Sequence, residues 1–134
     1  MKNRTLLAIG LVCSALVAPA MACTFNYRHY GEPQVKKRIA TLIGSKVTDA
    51  YCEKYNKTHS IVIFTDEYQN TARTLVHVTV GLRKRGSDAY PDKSRSAYKF
   101  EDGNFVLSKQ YEMSASLAMD MLMDVMSDLE RFAD

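Results

Sequence analysis

The chain has 134 residues, 46% hydrophobic and 25% charged, with a formal net charge of +3. This length and balance fit one small globular domain and exclude a multi-domain, collagen-like or strongly charged disordered chain. Lys2 and Arg4 account for two of the three excess charges, so the remainder carries only +1, which argues against a nucleic-acid footprint.

Residues 1–22 read as a secretory signal peptide. Lys2 and Arg4 form the basic start, Leu6 to Ala18 is an uncharged and mostly apolar run, and Pro19 ends it. Ala20-Met21-Ala22 supplies the small-x-small cleavage pattern, and the run is too short and wrongly flanked for a membrane span. A single domain over 23–134 is therefore expected in a bacterial periplasm or outside the cell. Cys13 leaves with the leader, so Cys23 and Cys52 remain as an even pair in an oxidising compartment. A disulfide between them is the expectation. The alternative is a lipoprotein anchored through Cys23, the first residue after the cleavage site. Against it, Ala20 stands where lipoprotein signals usually carry Leu.

Thr24 to Gly31 reads as an arm bearing Phe25, Tyr27, His29 and Tyr30. Pro33 suits a first helical position, and Val35, Ile39, Leu42, Ile43, Val47 and Ala50 follow a helical period. The spacing predicts a helix over 33–55, bent at Gly44 or split there with Ser45 as a new cap. Pro33 to Cys52 spans about 28 Å along a straight helix. An extended arm from Cys23 to Pro33 reaches about 33 Å. The arm is thus expected to run back along the outside of the helix, its aromatics covering it. Ile61-Val62-Ile63-Phe64 is a β-type run, and Val76, Val78, Val80 and Leu82 alternate with polar residues as a half-buried strand. Lys84 to Arg95 is a polar loop, long for a hairpin connection. A third strand is expected over 97–101, and Asp102-Gly103 leads into a short fourth at Phe105-Val106-Leu107. Ser108 is the expected cap of a last helix, near 109–132. Ala115, Ala118, Met119, Leu122, Met123, Met126, Leu129 and Phe132 share its inward face. Leu117 and Met121 form a second ridge, buried under the polar loop or exposed as a contact patch. The predicted class is α+β: an N-terminal helix, a three- to four-stranded antiparallel meander and a C-terminal helix, with both helices on one sheet face.

That element order, with Ile43-Gly44 and the Tyr51/Tyr55 spacing, resembles small exported accessory proteins of curli-type fibre secretion. The likeness is one of architecture and carries over no functional residue.

Chemistry-bearing patterns are sparse. Met119, Met121, Met123 and Met126 could supply soft ligands to Cu(I), but helical spacing turns most of them into the core, where Met is ordinary packing. His29, His59 and His77 lack the short-range spacing of a zinc motif. No GxSxG is present, a disulfide removes the thiol nucleophile, and the Asp66-Glu67 and Glu101-Asp102 pairs have turn explanations. No catalytic residue, metal site or cofactor is assigned. The leading expectation is a non-catalytic exported protein that binds another protein of the cell envelope, such as an accessory or secretion factor, an inhibitor or an immunity protein. The alternative is a small envelope enzyme or copper-binding protein. Arg83, Lys84, Arg85 and Tyr90, with Leu117 and Met121, are the candidate partner-binding residues: cations hasten encounter, and buried aromatic or apolar groups hold a complex. No nucleic acid is expected, and a membrane only if Cys23 is lipidated.

Overall fold

A computed structural model of the protein describes residues 23–103 and 106–133. The signal peptide assigned to residues 1–22 lies outside these, as does Phe105. The described chain is α+β, with a four-stranded mixed sheet in the order β1-β2-β3-β4.

The N-terminal arm is not a cover for the helix. Tyr27–Tyr30 forms an edge strand, β1, which pairs in parallel with β2, His59–Gln69. The Ile61 amide donates to the Asn26 carbonyl at 3.2 Å. An extended arm carries backbone donors and acceptors that need partners, and the open side of β2 supplies them. The element order therefore begins with a strand rather than a helix, and the sheet is not a pure antiparallel meander.

The crossover from β1 to β2 is helical but broken. The first helix, α1, covers Pro33–Leu42, with Pro33 in its first turn and Val35 and Ile39 buried one turn apart. A 3-10 turn over Ile43–Ser45 follows, then α2 over Asp49–Lys54. The split expected at Ser45 occurs, but the new cap is Thr48, whose hydroxyl accepts from the Tyr51 amide at 3.4 Å.

β2 and β3 (Arg73–Lys84) form a long antiparallel hairpin, and β4 (Ser94–Asp102) extends it. The Asn70 side-chain oxygen accepts from the Ala72 and Arg73 amides, both at 2.8 Å, and closes the hairpin turn. No strand forms at 105–107 among the described residues. Val106 is the N-cap of α3, Leu107–Ser127, and a short α4, Leu129–Ala133, ends the described chain. The fourth strand lies at the other edge of the sheet, as β1.

One face of the sheet carries the core. Ile61, Ile63, Val76, Val78, Val80 and Leu82 meet Val35 and Ile39 of α1 and Ala118, Leu122 and Val125 of α3. Tyr51 is fully buried there, and its hydroxyl donates to the His59 carbonyl at 3.0 Å. Burial pushes the Tyr51 phenol up to about 12, with the Arg85 charge opposing it. Among the described residues the opposite face bears no helix. Part of it is roofed by the 85–93 segment, and Tyr68, Leu75, Tyr98 and Phe100 beyond the roof are exposed.

Candidate functional site

The roof over the outer face is built on aromatic rings. Phe64 stacks on Tyr30 at 5.0 Å between centroids and on Tyr90 at 4.8 Å. Pro91 sits over Gly81 of β3, where a Cβ would come within 2.7 Å of the Pro91 Cβ and 2.9 Å of the Lys93 carbonyl. Only glycine lets the segment lie this close. Arg83 is enclosed beside this stack at 6% exposure. Its guanidinium donates to the Tyr30 hydroxyl at 3.3 Å and the Ala89 carbonyl at 3.5 Å, and sits 5.9 Å from the Tyr30 ring centre.

The six candidate contact residues do not form one surface. Arg83 is internal. Lys84 is exposed at the end of β3, opposite His59 in the ladder. Arg85 is exposed and donates to the His59 carbonyl at 3.3 Å and the Asn56 side chain at 3.0 Å. Tyr90 keeps a solvent-facing side while stacking on Phe64. Leu117 is buried and Met121 half-buried, both against the core. They lie under the helical layer, on the opposite face from Tyr90, so the polar loop does not cover them. Met113, Met119 and Met126 are buried as well, whereas Met123, expected inside, is exposed. The helix is wedged between sheet and α1, so its buried arc is wide enough to take in Leu117 and narrow enough to leave Met123 out.

The uncovered half of the outer face carries a strip of large apolar side chains. Tyr68, Leu75 and Phe100 lie in one cross-strand row, and Asp66, His77 and Tyr98 in the next. Tyr98 is 70% exposed, Tyr68 60% and Phe100 51%. Arg73 lies 4.8 Å from the Phe100 ring centre and pairs with Asp102 at 2.8 Å. His77 and Asp66 are 3.7 Å apart. Sequence reading missed this strip. Its signal was Leu75, an apolar residue out of phase with the inward Val76, Val78, Val80 and Leu82. Tyr98 and Phe100 share its phase, but only the pairing register brings the three together.

Cys23 and Cys52 are bonded, with their Cα atoms 5.8 Å apart, which ties the start of the β1 arm to α2. His29 bonds the Thr65 hydroxyl at 2.9 Å, and burial, then the Lys36 charge, holds its imidazole below the usual range. His59 bonds the Thr58 hydroxyl at 2.9 Å through Nδ1, and its Nε2 is buried without a partner among the described residues. Among the described residues no three His, Cys, Asp or Glu side chains group closely enough to hold a metal ion. Among the same residues no helix is long and apolar enough to cross a membrane. No family model and no curated protein matches the chain.

Proposed function

We propose that the protein is an exported, disulfide-stabilised, non-catalytic module that acts by contact with another protein of the cell envelope, as an accessory factor, inhibitor or immunity protein. The observation that carries this reading is the Tyr68–Leu75–Phe100–Tyr98 strip. Large aromatics beside an arginine are the side chains that dominate protein interfaces, and such a strip left in water is costly unless something covers it. The strip adjoins the free edge of β4, whose Lys99 and Glu101 guard against indiscriminate strand pairing. The Cys23–Cys52 bond agrees with an oxidising compartment.

Affinity capture from the native envelope tests it, with wild-type protein beside Tyr98→Ser and Phe100→Ser. Both rings are exposed, so the variants keep the fold, as circular dichroism will verify. One stoichiometric protein should be captured by the wild type and lost from the variants. Capture that ignores both substitutions, or recovery of one equivalent of metal in place of a protein, would overturn the reading.

A further inference from the structure

A guanidinium withdrawn from water needs an anion or a full set of acceptors. Arg83 has neither: its two acceptors are neutral and distant, and no carboxylate pairs with it among the described residues. It lines a cavity of about 660 Å³ together with Arg28, Lys36 and Arg85, and Asp88 is the one carboxylate on that wall. Four permanent cations against one acid make the cavity strongly electropositive. His29 lies at its margin, where burial first and the Lys36 charge second hold its imidazole below the usual range.

The cavity follows β1. Residues from both faces of the strand border it, and Lys36 of α1 closes its far side, so it turns around the strand's free edge. Among the described residues β1 is paired on one side only. Because the Asn26 carbonyl accepts from Ile61, the alternation of a parallel ladder turns the amides and carbonyls of Tyr27 and His29 toward the open side. A compact anion would serve Arg83 but leave these backbone groups and Lys36 unused. A strand would use them all.

We propose that this groove receives an acidic, extended segment of a partner protein, which adds to β1 as a further strand and places its carboxylates on Arg28, Arg83 and Arg85. The inference rests on the protein-contact reading and supplies the chemistry of the partner. Backbone pairing gives such an addition its affinity, and the side chains facing the cations give it selectivity. A second copy of this chain offers extended backbone at its β4 edge, but that strand balances Glu101 and Asp102 with Arg95 and Lys99, and its exposed acids Asp120 and Asp124 lie on helix α3.

The test titrates the disulfide-intact, ¹⁵N-labelled mature protein with an acetylated, amidated peptide of alternating Glu and Val, six residues long. Beside it run the Lys-for-Glu counterpart, two versions N-methylated at one or the other alternate set of amides, and inorganic phosphate. The acidic peptide should give saturable shifts at the Tyr27 and His29 amides, and the Lys peptide none. One of the two N-methylated peptides should bind about tenfold more weakly, because it loses its edge-facing donors. Arg28→Glu, at an exposed position, should weaken binding about tenfold, and Arg83→Gln should do the same in protein that remains folded. Equal binding of both N-methylated peptides, full displacement by phosphate, or indifference to Arg28→Glu would overturn the strand addition. So would concentration-dependent dimerisation that occupies the same amides. If the peptide never binds while a partner is captured through Tyr98, the groove assignment falls and the protein-contact reading stands. If no protein is captured either, both fall.

Discussion

Removing the Cys23–Cys52 bond, as Cys23→Ala with Cys52→Ala, should act at two levels. The bond joins residues 29 apart in sequence. Closing a loop of that size restricts the unfolded chain by about 3–4 kcal/mol in the chain-entropy account. For a domain of this size the loss lowers the melting temperature by roughly 10–15 °C. The second effect is local. β1 is four residues long, has one paired neighbour among the described residues, and begins four residues after the tethered Cys23. Without the tether its fraying becomes cheaper than global unfolding, so the amides of Arg28 and Tyr30, which face β2, should lose exchange protection well beyond the global change. Urea denaturation followed by circular dichroism measures the first effect and amide hydrogen exchange the second. A stability loss under about 1 kcal/mol, with β1 protection unchanged, would refute the view that the bond holds the arm in the sheet.

Gly81→Ala drives a methyl group into Pro91 and the Lys93 carbonyl. It should cost about 1–3 kcal/mol and break the Phe64–Tyr90 ring contact, read as lost cross-peaks between the two rings in NMR spectra. Tyr51→Phe removes the donor to the His59 carbonyl and should cost about 1 kcal/mol in urea denaturation. In the wild type the unfolded tyrosine ionises near 10 while the buried one waits until about 12, so stability declines as pH rises through that window. Tyr51→Phe should flatten that decline. The folded His29 imidazole is held below its usual range. Its contribution is therefore complete above the unfolded value near 6.5 and lost as pH falls below it, and His29→Gln should shrink the acid sensitivity of the melting temperature in that range.

Local periodicity made much of the fold legible. Val76, Val78, Val80 and Leu82 mark β3 by strict alternation, and the apolar stripe from Ala115 onward marks α3. The cysteine count pointed to the Cys23–Cys52 bond. Pairing between distant segments was not legible. β1 is too short to distinguish from an arm, and its parallel partner lies beyond an intervening helical crossover. Asp102-Gly103 is a good hairpin signal, yet Val106 caps a helix, because the amphipathic run from Leu107 outweighs a short β-type triplet. Arg83 looked like a surface cation because the rings beside it, Tyr30, Phe64 and Tyr90, come from three separate parts of the chain. The Tyr98 strip was hidden for the same reason. Each of its residues is an ordinary exposed side chain alone, and the register across three strands makes the surface.

A benzophenone amino acid placed at Tyr98 in one version of the protein, and at Asp120 on the exposed side of α3 in another, allows photo-crosslinking in the native envelope to report which face meets the partner. Position 98 should give one discrete adduct of defined mass and position 120 none. An adduct from position 120 alone, or none from position 98 while the protein is folded and exported, would contradict the protein-contact reading.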